Sequence, residues 1–156
     1  DLVLANSPLS PQMNVRAFNH KLGECSVTVF GTGALAKKYA RDFPRSLNGA
    51  PMLLPTQNTT LRRALEQWFD ENEIWPTILH EFEDSAVMKV FGQEGEGLIV
   101  VPSAIENEVA KQYSLKAIGR LEEITEQFYA ISVERRLKHP AVVAISNAAK
   151  TQLFAE

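Results

Sequence analysis

Cysteine is nearly absent: Cys25 is the one cysteine in 156 residues, so an internal disulfide and a cysteine-built zinc centre are both excluded. Positive charge is short as well. Sixteen Lys and Arg face nineteen Asp and Glu, a net charge of −3, which leaves no overall positive field to hold a phosphate backbone. No apolar run approaches the roughly 18 residues that a membrane-crossing helix needs. The opening DLVLANSP has no basic segment ahead of its short apolar run, as an export signal would. Gly31-Thr32-Gly33 lacks the third glycine of a dinucleotide fingerprint, and no glycine elbow or ordered triad accompanies Cys25 and His20. Together these absences lead to the expectation of a cytoplasmic protein that is not an enzyme.

What is present suffices for one ordinary domain, because a 45% hydrophobic chain of this length can bury a core. Leu2 to Ala5 is a continuous apolar run, expected as a strand buried on both faces of a parallel sheet. The chain opens on that run at Asp1, without an initiator methionine, and is expected to be a piece of a longer protein. Further strands are expected at Cys25 to Phe30, Pro51 to Pro55, Thr77 to Glu83, Leu98 to Val101, Leu115 to Ile118 and Gln127 to Val133. A polar joint, Arg120 to Glu126, separates the last two. Helices fit between them: a short one around Leu35 to Arg41, then one capped by Asn58 or Thr59 with Leu61, Ala64, Leu65, Trp68 and Phe69 on one stripe. Another runs from an Asp84 cap through Phe91, one opens at Pro102 with Ser103 and Glu106 at capping-box spacing, and a last one starts at Pro140. Strand and helix alternate, so the fold class is α/β. Three segments are expected: residues 1–24, a complete α/β lobe over 25–120, and a return at 121–156.

The stretch Thr77 to Ser103 is the centre of this reading. Strand ends and helix N-termini in such a unit face one crevice, which draws Phe82, Asp84, Ser85, Pro102 and Ser103 together there. Asp84, Ser85 and Ser103 equally suit plain helix caps. Glu81, Glu83 and Asp84 form a carboxylate cluster and a candidate cation site, although acidic groups at a strand end are usually solvated. His20, His80 and His139 are the side chains that titrate near neutrality, and a lone histidine such as His80 is more often packed than a switch. The basic run Arg135, Arg136, Lys138 and His139 reads as a solvated loop or a contact to a part outside this chain.

The ordered set DLVLANSP, GAPMLLPTQNTTLRRALEQWF, IWPTILHEFEDSAVMKVFGQEGEGLIVVPS and FYAISVERRLKHPAVVAISNAAK resembles the regulatory domain of LysR-type transcriptional regulators over the whole chain. The resemblance implies a two-lobed fold like the type 2 periplasmic binding proteins, with a complete second lobe, built on a central mixed sheet, and a partial first lobe in this chain. An effector cleft would lie between the lobes, with Asn6 and Ser7 from the turn after the first strand joining Phe82, Asp84, Ser85, Pro102 and Ser103. Asn6 and Ser7 equally suit ordinary turn residues. Within the family the likeness is to activators of sodium/proton antiporter genes. It implies sodium as the signal, no resident cofactor, promoter DNA bound through an N-terminal winged helix-turn-helix outside this chain, a homo-oligomer and no membrane. The alternatives are a solute-binding protein of the same fold and an enzyme on a similar two-lobed fold.

Overall fold

The computed structural model describes residues 2–12 and 15–154, and after two successive strands its strands and helices alternate. The strands are β1 (Leu2–Ala5), β2 (Phe18–Gly31), β3 (Pro51–Pro55), β4 (Thr77–Phe82), β5 (Ile99–Pro102) and β6 (Lys116–Ser132). The α-helices are α1 (Gly33–Tyr39), α2 (Thr60–Glu71), α3 (Ser85–Gln93), α4 (Glu106–Tyr113) and α5 (Pro140–Ala148), with a short 3-10 turn at Ser103–Ile105. The chain divides into two compact units, one of residues 26–124 and one of residues 1–25 and 125–156.

In the larger unit the apolar residues sort by strand alternation. Val29, Leu54 and Val100 join one cluster with Leu65, Trp68 and Phe69 of α2; their chain neighbours Phe30, Leu53, Ile99 and Val101 join another with Met88 of α3 and Val109 of α4. β3, β5 and the last part of β2 are therefore covered on both faces, and that is why PMLLP and LIVVP are unbroken apolar runs, whereas β4 is exposed along most of its length. β3 runs parallel to β4, with Leu53 opposite His80 and Leu54 opposite Glu81. β2 and β5 are antiparallel, Val29 facing Val100. On the other side of β3, Leu53 N donates to Leu98 O at 2.8 Å and Leu98 N to Pro51 O at 2.8 Å. Gly97 is what lets this segment come so near: a Cβ there would lie 3.1 Å from the Pro51 carbonyl oxygen and 3.1 Å from Leu53 Cγ.

The α2 stripe folds as its spacing predicts. Thr59, not Asn58, is the cap, its hydroxyl accepting from Arg62 N at 3.2 Å. α4 ends where Ser114 turns left-handed at φ 54°.

Several expectations need correction. β1 is not buried on both faces of a parallel sheet; it pairs antiparallel with β6, Leu2 opposite Ser132, and leaves Val3 59% and Leu4 61% exposed. An apolar run reports affinity for a covered surface, and among the described residues β1 has one strand neighbour. β2 begins seven residues earlier than its apolar part, because Phe18 to Glu24 is largely exposed and polar yet extended. β4 stops at Phe82, so Glu83 lies outside the strand. The two strands expected at 115–118 and 127–133 are one, β6. Leu121 and Ile124 are both buried although three residues apart, so the alternation changes phase at Glu122 and Glu123 and then holds through Ile124, Glu126, Ala130 and Ser132. That change of phase, set among three glutamates, looks like a joint in sequence.

In the smaller unit, Phe128 of β6 stacks on Phe154 at 5.1 Å between ring centroids, and a Cβ on Gly23 would overlap the same Phe154 ring. Glu126 sits on the buried face of β6, 8% exposed, with Oε2 lacking a hydrogen-bond partner. Burial pushes its carboxyl up from 4.5 to about 7. Between those values the unfolded chain ionises Glu126 while the folded chain keeps it protonated, so stability falls as pH rises from 4.5 to about 7 and levels off above. Denaturant unfolding should show Glu126→Gln relieving a loss of about 3 kcal/mol across that interval. Parallel stability-versus-pH curves for the two proteins would refute the assignment.

Candidate functional site

The site is built around two turns of the larger unit. The first leaves β4. Thr56 N donates to Phe82 O at 3.0 Å, tying the end of β4 to the end of β3, and Asp84 follows as the cap of α3 with Oδ1 accepting from Ala86 N at 2.7 Å. A carboxylate suits this position because the first amides of the helix are unpaired and its dipole is positive there. Phe82 packs its ring on Phe91 at 5.2 Å, and His80 lies 6.4 Å from each of these rings. Asp84 and Ser85 are exposed and Phe82 is half-buried.

The second turn leaves β5. Pro102 is opposite Val27 of β2, and Ser103 opens the 3-10 turn. The expected capping box does not form. Ser103 Oγ accepts a 3.2 Å bond from Ser26 Oγ, while the Glu106 carboxylate is drawn away to β2 and β6. There it accepts from Thr28 Oγ1 at 2.8 Å and Arg120 Nε at 3.1 Å, and Arg120 closes a second, shorter bond to Oε1. The Arg120 bonds outweigh desolvation and hold Glu106 below its ordinary value. Ser26 and Thr28 alternate on one face of β2, so both anchors of this turn come from one strand face. Phe82 and Ile105 pack against the same apolar cluster, which brings the two turns to a common end of it.

Sequence reasoning missed Arg62. It is 2% exposed, yet it donates to Pro55 O, Glu66 Oε1 and Glu81 Oε2, each at 2.8 Å. The signal was there in the spacing: Arg62, Leu65 and Phe69 fall at i, i+3 and i+7, which puts Arg62 on the buried stripe of α2. This pairing also bears on the carboxylate cluster. Glu81 is committed to Arg62 and Asp84 to its own helix, and among the described residues no group of three or more His, Cys, Asp or Glu side chains is arranged to hold a metal ion. The structure therefore does not bring Glu81, Glu83 and Asp84 together as a ligand set. Asn6 and Ser7 belong to the other unit, as residues of the bend after β1, and Ser7 is exposed. Asn6 borders an apolar trough of about 610 Å³ in that unit, walled by Leu4, Leu22, Phe128 and Ile145.

Residues 9–153 match the family model described as LysR substrate binding domain. The chain is 31% identical over 154 residues, 99% of its length, to the transcriptional activator protein NhaR of Escherichia coli strain K12, and equally to that of Shigella flexneri. It spans about half the length of those relatives, 50%. Among solved structures it is similar to the effector binding domain of QuiR in complex with shikimate, at TM-score 0.66 and 18% identity, covering 99% of this chain and 74% of that one. The Synechocystis PCC6803 CcmR regulatory domain in complex with 2-PG follows at TM-score 0.63 and 14% identity, covering 98% and 73%. These neighbours carry the α/β, periplasmic-binding-protein-like fold of regulatory domains.

Removing the Asp84 cap tests the first turn. Asp84→Ala should cost about 1 kcal/mol in denaturant unfolding, with Asp84→Asn retaining most of it. Equal stability of all three proteins would show that the cap contributes nothing.

Proposed function

The chain belongs to the LysR substrate-binding domain family, and on that premise we propose that it is the effector-sensing part of a transcription activator that responds to sodium and switches a sodium/proton antiporter gene. The observation that carries this reading is the 31% identity to the transcriptional activator NhaR across 99% of the chain. The proposed setting is the cytoplasm and a homo-oligomer, with promoter DNA held by an N-terminal winged helix-turn-helix that lies outside these residues. Phe82, Asp84, Ser85, Pro102 and Ser103 are the proposed effector contacts in the larger unit, and Asn6 and Ser7 those in the smaller.

The chemistry supporting that choice is local. The two turns are held by their anchors, Arg62 behind one and Thr28, Glu106 and Arg120 behind the other, so their polar groups are preorganised. A ligand that prefers one arrangement of the regulator over another shifts its population by that difference in affinity, and no signal passes without such a difference. Sodium asks for several oxygen ligands. Direct coordination by Glu81, Glu83 and Asp84 requires Glu81 to give up Arg62. A small organic anion is the second reading, favoured by the shikimate and 2-PG that occupy the two structural neighbours.

Isothermal titration with sodium, lithium and potassium chlorides at constant ionic strength separates these readings, with sodium shikimate as a further titrant. The sodium reading expects saturable heat for sodium above potassium, reduced in Asp84→Ala. Identical heats for sodium and potassium remove it. Heat from sodium shikimate beyond that of sodium chloride would transfer the role to the anion.

A further inference from the structure

The basic run after β6 is exposed, as a solvated loop would be, but its turn is hydrogen-bonded. Its turn is built around Glu134, whose side chain and backbone are all engaged. Glu134 N donates to Ser132 Oγ at 3.1 Å, and Oε2 accepts from Lys138 N at 3.1 Å. The Glu134 carbonyl lies 3.0 Å from His20 Nε2; a carbonyl only accepts, so that ring nitrogen carries the proton. The one acid of the turn is thus spent on the backbone. Arg135, Arg136 and Lys138 are exposed, and their side chains take part in none of the ion pairs among the described residues. With Glu134 they line a hollow of about 530 Å³. Three cations within four residues repel one another, yet all three border the same hollow. Directly beyond them α5 begins, nine residues long, with His139 as its cap residue and no side chain satisfying its first amides.

We propose that the Glu134–His139 turn is a binding site for a phosphoryl group, with Arg135 and Arg136 gripping its oxygens and Lys138 supplying a third charge. A phosphoryl dianion offers three acceptor oxygens, which matches two planar guanidinium forks and an ammonium better than chloride or a single carboxylate does. α5 starts directly after the turn, and its first amides have no side-chain cap. The site lies wholly within the smaller unit and does not depend on the sodium reading. Two sources present this chemistry: a phosphate monoester in solution and the phosphates of a nucleic-acid backbone.

Amide and arginine side-chain NMR signals of the full chain, titrated with inorganic phosphate against sodium chloride at matched ionic strength, test the site. Saturable shifts confined to residues 134–141 are expected. Replacing both arginines, Arg135→Gln with Arg136→Gln, should weaken phosphate binding at least about tenfold, while Lys150→Gln, on the same unit but outside the turn, leaves it unchanged. A second arm uses a short DNA duplex of random sequence. Shifts of the same signals by duplex, reversed by added phosphate, make the backbone the source, and binding of phosphate without duplex points to a monoester. Phosphate shifts no larger than those of chloride, or undiminished in the double variant, overturn the proposal.

Discussion

A guanidinium buried to 2% exposure is the constraint on which the candidate site rests. Taking Arg62 out of water costs several kcal/mol unless its donors are met. Three acceptors meet them, from three different elements: the Pro55 carbonyl at the end of β3, Glu66 on α2 and Glu81 on β4. The pair is not a large source of net stability, since Glu66 and Glu81 are 44% and 42% exposed and partly screened. What it supplies is position. The ends of β3 and β4 must come together beneath α2 for the charge to be satisfied at all.

From that fixed end the chain passes directly through Phe82 into the Asp84 cap. The turn after β5 repeats the principle with different chemistry, as Glu106 is tied to the buried hydroxyl of Thr28 and to Arg120. Asp84 and Ser85 at the first turn are exposed, Pro102 and Ser103 at the second are half-buried, and a charged group, Arg62 or Glu106, stands one step behind each turn. A regulatory domain has use for such a division, because contacts can vary with the effector while the frame that presents them stays constant.

Part of this arrangement is legible in the amino-acid sequence alone. The α2 stripe, the proline-bounded strand β3, the Asp84 cap and the buried run of β5 each follow from a single local rule, and each is where that rule puts it. The features that escaped are those in which two rules compete. Ser103 and Glu106 have the spacing of a capping box, but Arg120 and Thr28 are stronger partners for the carboxylate than a backbone amide. Three glutamates between Leu121 and Gln127 look like a joint, yet one of them, Glu126, is buried in a continuous strand. Arg62 shows its burial in its place on the apolar stripe, but not its partners, since two of its acceptors lie 7 and 19 residues away. β1 went the other way, apolar throughout and yet exposed at Val3 and Leu4.

The direct test of this account is native-state hydrogen exchange on Arg62→Met, which keeps the apolar stem and removes the donors. If Arg62 sets the ends of β3 and β4, the amides of Thr56, Glu81 and Phe82 lose protection by at least about tenfold, about 1.4 kcal/mol. Val29 and Val100, in the β2–β5 pair, keep theirs. Unchanged protection at Thr56 and Phe82, or an equal loss at all five amides, would contradict it.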